Sequence, residues 1–588
     1  MQLIYLYIDN YCSFQKAEFN FSQNIRIQHH PENSALLEVE DQPSRLPEQF
    51  WGENISNLNV VIGNNGAGKT SLMQYLLDLF LEAHGGRRAS GQGIVIFGEA
   101  DTLYGYYNRN WEGPMREIQM KSKCYKRMQW LSHKQDVQEN LGRTKLIYLT
   151  NALSMRDSRR SQWYNGNRFA PLYDCSTGNL LASNIERDVN QSMRRGPMGG
   201  AEMEAYFLYE QYKQIKFVFD RRQHQICEKL KKKKFPVPVP KALYIDLLMG
   251  YRLSIVESDT EIEIGMDQLS AVLDEADGGF NATDSTLFLR KQLNRCALWC
   301  AVRSILRCLS RREREILGKY LVTWKVDSGK GPYQYVEIFQ EIWDITEQIK
   351  KKQETYGKEK DKIQDWKWLR RCHRYYVEYF EFIESEKIEE HFRVDSESWK
   401  MLIEHPGGEE LTFTVDTSDA EWFMKFIQKY RYICNPDYFL DFRWGLSSGE
   451  NSLLSMFASF YYIFNADFTN KKNGDYRILN HFEEKKENVQ CDSVILLIDE
   501  ADLTYHPEWQ RKFIALLTTF LPQVYPVQCC RNIQIILSTH SPILLSDVPQ
   551  ENVIYLKYDS QSHSTVVDHS EHTGTFGQNI HLLFKDSF

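Results

Sequence analysis

Four short stretches carry residues whose types and spacing suit phosphate chemistry. The first is GNNGAGKT, comprising Gly63, Asn64, Asn65, Gly66, Ala67, Gly68, Lys69 and Thr70, with Ser71 following. Glycines at this spacing let the backbone curl so that its N–H groups point inward at phosphate oxygens. A lysine then reaches the β- and γ-phosphates, and a hydroxyl faces Mg²⁺. The second is VILLIDE, an apolar run ending in Asp499 and Glu500. A carboxylate at Asp499 suits the Mg²⁺ shell, and one at Glu500 suits polarisation of an attacking water. The third is LSSGE, with Ser447, Ser448, Gly449 and Glu450 opening an apolar helix. It reads either as an anion-binding nest or as a plain helix cap. The fourth, IILSTHSP, puts His540 just past a buried strand. There it reads either as a γ-phosphate contact or as a structural histidine.

The elements that must position these residues are legible from periodicity. Residues 3–8 and 58–62 read as short buried strands, and 70–83 as a helix. Runs at 494–498, 533–537 and 553–556 read as interior strands of a parallel sheet, with a helix bearing WQRKFIALLTTFL between the first two. Both ends of the chain are thus α/β, while the middle differs. Residues 285–320 read as one amphipathic helix, and 335–395 as a charged, aromatic helical hairpin or short coiled coil. At about 1.5 Å of rise per residue that hairpin is too short for the long arm of a chromosome-organising ATPase. Stretches 190–201 and 274–284 read as loops, and KKKKFPVPVPK as a basic segment entering edge-type extended chain. No internal repeat is found. The expected division is 1–220, 221–430 and 431–588.

Composition narrows the class. The 588 residues include 71 Lys+Arg and 79 Asp+Glu, a net charge of −8, so any nucleic-acid contact must come from a local basic patch. No apolar run suits a membrane span, and the N-terminus lacks the features of a signal peptide. The 12 cysteines form no CxxC pair, as expected of reduced thiols in the cytoplasm.

Together the four motifs resemble the ABC-type ATPases of the SMC, RecF and overcoming-lysogenization-defect branch. IDNYCSF resembles that branch's N-terminal strand, and HPEWQ its D-loop region. LIYLTN (146–151), LYDCST (172–177), EQYKQIKFV (210–218), NVIYL (552–556) and TFGQNIHLLFKDSF (575–588) resemble AAA-family, PtuA-like ATPases of bacterial anti-phage Septu and retron systems. The resemblance implies an α/β fold: a P-loop ATPase head of mixed sheet and flanking helices, interrupted by a large, mostly helical insertion with a short coiled-coil-like hairpin. It implies ATP and Mg²⁺ as cofactors, with Lys69, Thr70, Asp499, Glu500 and His540 acting in one subunit. Ser447 and Gly449 would close over the γ-phosphate held by another. The implied assembly is a homodimer or a higher even-numbered oligomer. The implied function is ATP-gated control of a partner effector, an HNH-type nuclease or toxin, on sensing DNA, retron-type RNA/DNA or a phage component.

The sequence also departs from that pattern. Cys12 and Ser13 stand where DNA-repair relatives carry a basic residue, and the LTN at 149–151 is the positional candidate for the Q-loop. The insertion has no zinc-hook CxxC. The stretch after His540 is too short for a Toprim nuclease domain, and the chain stops on KDSF where relatives often run on.

Weaker signals leave two readings each. Lys229 and Lys231, Lys232, Lys233 and Lys234 suit a phosphate backbone or a solvated helix end. Arg303, Arg307, Arg311 and Arg314, spaced as one helix face, suit DNA, an acidic partner or acidic neighbours in the same domain. Cys296 and Cys300 read as a packed apolar face, and His569 and His572 as solvent-facing. The region 370–373 matches no ribonuclease spacing. The alternative to a partner-controlling ATPase is a stand-alone RecF-type repair ATPase that binds DNA directly. A transporter subunit is disfavoured by the long separation of Lys69 from Ser447, and a non-hydrolysing scaffold by Glu500 beside Asp499.

Overall fold

The computed structural model describes residues 1–30, 36–43, 46–47, 49–83, 92–107, 117–131, 134–150, 172–175, 201–220, 228–229, 232, 239–249, 260–276, 284–324, 334–353, 360–405, 410–433, 439–465, 493–502, 505–527, 530–570, 572 and 574–587. Lys231, Lys233, Lys234, Asn151, the 190–200 loop and residues 277–283 lie outside them.

The chain folds into two compact units. The first comprises Met1–Arg187, Gln225–Pro238 and Ser448–Phe588, and the second Asp188–His224 and Val239–Ser447. The backbone of the first unit is a 12-stranded mixed sheet. Its strand order is Leu172–Asp174, Thr144–Thr150, Ser493–Asp499, Asn532–Ser538, Ile55–Gly63, Val553–Asp559, Ser564–Val567, Phe14–Asn20, Gln2–Tyr11, Gln92–Glu99, Thr102–Tyr107 and Arg127–Leu131. The first six strands run parallel. The rest pair mostly antiparallel.

Parallel strands covered on both faces need apolar residues throughout, which is why Ser493–Asp499 is buried at all seven positions. Alternation along it assigns the two faces. Ile495 and Leu497 join the core built on Leu72, Leu76 and Phe80 of the helix Lys69–Ala83. Ile498 lines a small cavity with Met456 and Phe513. Those two residues belong to the helices Ser448–Asn465 and Pro507–Val524, locked together by stacked Phe457 and Phe520 at 4.3 Å. A three-stranded sheet (Ile25–His30, Leu36–Asp41, Glu117–Met120) shares a second core with Ile4, Tyr5 and Ile94 of the large sheet.

The second unit is helical around a four-stranded antiparallel sheet, ordered Phe392–Val394, Glu410–Asp416, Ala242–Leu248, Leu440–Arg443. The aromatic stretch seen in the sequence forms the helices Tyr335–Gln353 and Lys360–Ser385, which bury Phe339, Trp343, Tyr376 and Phe380.

One expected element is corrected. Residues 285–320 form two helices, Ser285–Cys308 and Arg311–Thr323, because Leu309 is extended and Ser310 starts anew. The Ser310 N–H donates to Glu313 Oε2 at 2.6 Å, half of a capping box whose S-x-x-E signal stands in the sequence. Arg303 and Arg307 therefore lie on a different helix from Arg311 and Arg314. No helix among the described residues is long and apolar enough to cross a membrane.

Candidate functional site

Three neighbouring parallel strands deliver the chemical residues from their carboxyl ends, where α/β sheets place ligands. Ile55–Gly63 runs into the glycine loop, Ser493–Asp499 into the carboxylates, and Asn532–Ser538 between them into His540. Gly63, Gly66 and Gly68 adopt φ of +151°, +82° and +91°. A Cβ on Gly63 would stand 2.3 Å from the Leu556 carbonyl oxygen, so this position requires glycine. Asn64, Asn65 and Gly66 are exposed at the loop crest, Ala67 is buried beneath, and Thr70 is exposed with Ser71 half-buried beside it.

Lys69 is 6% exposed, and its ammonium donates to the carbonyls of Gly63 at 2.8 Å and Asn64 at 3.2 Å. Burial pushes its pKa down, while Asp499, Glu500 and Asp502 oppose that shift. A buried cation held by the loop's own carbonyls and facing three carboxylates fits a phosphate chain with a divalent cation: the phosphates supply the acceptors, and the metal the countercharge.

The carboxylate corner is held by a dense hydrogen-bond set. Asp499 is buried and accepts from the hydroxyls of Ser538 and, at 3.3 Å, Tyr148. Ser538 Oγ also accepts the Glu500 N–H at 2.9 Å, and the Ser538 carbonyl accepts the Ala501 N–H at 2.9 Å. Glu500 itself stands at φ +54°, a strained setting for a non-glycine residue. Burial first, then Asp499 and Asp502, raise its pKa, with Lys69 opposing. Asp502 Oδ1 accepts from Thr539 Oγ1 at 2.6 Å and from the His540 N–H at 3.0 Å. His540 is pushed to lower pKa by burial and then by Lys69, with Asp502 and Asp499 opposing. Lys69, Asp499, Glu500 and His540 thus share one electrostatic neighbourhood. Thr150 lies opposite Asp499 in register, and Leu149 and Thr150 line the small cavity beside Asp499 and Glu500.

Ser447 and Ser448 are exposed, Gly449 is buried and Glu450 is half-buried in the first turn of its helix. Lys229 and Lys232 are exposed. Arg303 is half-buried, and Arg314 donates through Nε to the Leu306 and Leu309 carbonyls at 2.9 and 3.2 Å, capping the preceding helix. Cys296 and Cys300 are buried, and burial pushes the Cys296 thiol up to about 12. His569 is exposed, but His572 departs from expectation: its ring stacks on Tyr555 at 3.6 Å.

Sequence reasoning missed Asp502, Ser538 and Thr539, although the last two stand within IILSTHSP and Asp502 two residues beyond VILLIDE. It also missed the turn at Cys12 and Ser13. There Ser13 Oγ accepts from Thr565 Oγ1 at 2.8 Å, and both hydroxyls lie close enough to Gly68 to crowd an added Cβ, at 3.2 and 3.1 Å.

The architecture is that of a P-loop ATPase head carrying helical insertions. Residues 490–546, which hold both carboxylates and His540, match the family described as an AAA domain, putative AbiEii toxin, type IV toxin–antitoxin system. The chain is also 44% identical over 59 residues to a curated relative, the retron Vc95 probable ATPase of Vibrio cholerae serotype O1 biovar El Tor. That likeness covers 10% of this chain and 10% of the relative.

Proposed function

We propose that this chain is an ATPase of anti-phage defence that binds Mg-ATP at the glycine loop, pairs with a second copy over the nucleotide and thereby controls a separate effector. The observation that carries the ATPase reading is the buried Lys69 ammonium, bonded to loop carbonyls and facing Asp499, Glu500 and Asp502. The defence context draws on the likeness to a retron ATPase.

In this reading the N–H groups of residues 63–70 bind the phosphates, and Lys69 leaves its carbonyl partners for the β/γ-phosphates. Thr70 and Asp499 hold Mg²⁺, which supplies charge neutralisation on the phosphate oxygens. Glu500 orients and deprotonates the attacking water, and its raised pKa makes it a stronger base than an ordinary glutamate. His540 faces the γ-phosphate. Ser447, Ser448, Gly449 and Glu450 complete the site of the other copy, giving a homodimer or a higher even-numbered oligomer. Residues 1–187 and 448–588 carry the ATPase lobes, and the second unit, Asp188–His224 and Val239–Ser447, is the sensing insertion. Lys231–Lys234, Arg303 and Arg307 are the candidate contacts for DNA, retron-type RNA/DNA or a partner. The effector is an HNH-type nuclease or a toxin.

The test is Glu500→Gln analysed by light scattering with ATP and Mg²⁺. An ATP-dependent dimer that persists because turnover is blocked is expected. A variant that stays monomeric, or hydrolyses ATP at the wild-type rate, contradicts the reading.

A further inference from the structure

The stretch HPEWQ, residues 506–510, has no part in the chemistry above, yet its last residue reaches the segment that carries His540. His506 caps the helix Pro507–Val524: its Nδ1 accepts the Glu508 N–H at 3.3 Å, and Pro507 opens the first turn. That start fixes where Gln510 stands. The Gln510 amide then bonds at both ends. Its nitrogen donates to the carbonyls of Tyr505 at 2.9 Å and Asp502 at 3.3 Å, and its oxygen accepts the Ser541 hydroxyl at 2.7 Å.

From Ser541 the bonds run back to where they began. The Ser541 N–H donates to Thr539 Oγ1 at 2.9 Å, and that hydroxyl donates to Asp502 Oδ1, which also accepts the His540 N–H. A ring therefore closes from the Asp502 carboxylate through Thr539, Ser541 and Gln510 to the Asp502 carbonyl, with His540 between its two hydroxyl residues. On the other side the Thr539 N–H donates to the Val61 carbonyl at 3.3 Å, on the strand that leads into the glycine loop. Thr539 and Ser541 are 0% and 4% exposed. Buried hydroxyls are costly when left without partners, so losing the Gln510 amide forces this segment to shift or to admit water.

From these bonds we infer that Gln510 and Ser541 are positioning residues for His540, fixing the histidine's backbone against the carboxylate corner so that its ring meets the γ-phosphate. The inference rests on the ATPase reading and adds to it how the histidine is held. Every member of the ring lies in the first unit, as do Lys69, Asp499 and Glu500. Gln510 bonds to neither the glycine loop nor the two motif carboxylates in any contact above, so its influence on turnover passes through the His540 segment.

The experiment uses the full-length chain carrying Gln510→Met, Ser541→Ala, His540→Ala, or His540→Ala combined with either of the first two. Methionine keeps the length of the side chain and removes both its donor and its acceptor. In Gln510→Met, binding of a fluorescent ATP analogue is expected to stay within about twofold of wild type, while kcat falls by about tenfold to a hundredfold, the scale of a misplaced reacting group. Ser541→Ala is expected to lower kcat in the same direction by about threefold to tenfold, since the Gln510 bonds to Tyr505 and Asp502 remain. Adding Gln510→Met to His540→Ala is expected to lower kcat by less than about twofold further, because a residue acting through His540 has nothing left to position. Unchanged kcat in Gln510→Met overturns the inference alone, as does a parallel loss of nucleotide binding or a loss that multiplies onto that of His540→Ala. If Gln510→Met does not fold, Ser541→Ala is read in the same way. A wild-type chain without ATP hydrolysis, or an unimpaired His540→Ala, overturns the underlying reading instead.

Discussion

Replacing Glu500 tests the strained carboxylate corner in two separable ways. Its φ of +54° costs a non-glycine residue about 1–2 kcal/mol. Glycine at this position removes that strain but gives back about 0.4–1 kcal/mol through the freer unfolded chain. Glu500→Gly is therefore expected to be at least as stable as wild type, by about 0–1.6 kcal/mol, even as hydrolysis falls by about 10²–10⁴-fold with loss of the base. Glu500→Gln keeps the strain and removes only the charge. The folded-state pKa of Glu500 lies above the ordinary 4.5, so the folded protein holds this proton more tightly than the unfolded one. Wild-type stability then declines as pH rises from 4.5 through the folded value and levels off above it. The advantage of Glu500→Gln must grow over that same window and vanish below it. Urea denaturation of the three proteins between pH 4 and 8, read with steady-state ATPase rates, measures both effects. A Glu500→Gly protein less stable than wild type at neutral pH, or a Glu500→Gln advantage that grows as pH falls, refutes the reasoning.

Ser538→Ala removes a hydroxyl that donates to Asp499 and accepts from the Glu500 N–H. It is expected to cost about 2–4 kcal/mol in a denaturation experiment, since one of the two bonds is to a charged group, and to lower kcat more than nucleotide affinity. Arg314→Ala should destabilise the second unit by about 1 kcal/mol, because its side chain caps the carbonyls of Leu306 and Leu309, and should leave any DNA affinity unchanged in a gel-shift titration.

How much of this was readable follows from how local each signal is. The strands bearing Asp499 and Ser538 declare themselves as continuous apolar runs, because burial on both faces leaves no room for alternation. The glycine loop declares itself because Gly63 and Gly68 occupy conformations other residues rarely adopt. The helix break at Leu309 and Ser310 was encoded in Ser310 and Glu313, but the amphipathic pattern on both sides masks it. Pairings that join residues far apart in the chain leave no such trace. The bonds from Thr565 to Ser13 and from Arg443 to Asp246 exist only once the sheets have formed. Asp502 was hidden differently: it stands two residues past the acidic motif, and only the geometry of Thr539 and His540 shows what its carboxylate holds.

The most direct measurement is steady-state Mg-ATP hydrolysis by the purified full-length chain beside Lys69→Ala. Lys69 is buried with its ammonium bonded to loop carbonyls, so truncation empties the cation position at the centre of the proposed site. The expected result is measurable turnover by the wild type and loss of both hydrolysis and ATP binding in Lys69→Ala. Equal hydrolysis by the two proteins, or none by the wild type, would contradict the assignment of this site as the ATPase centre.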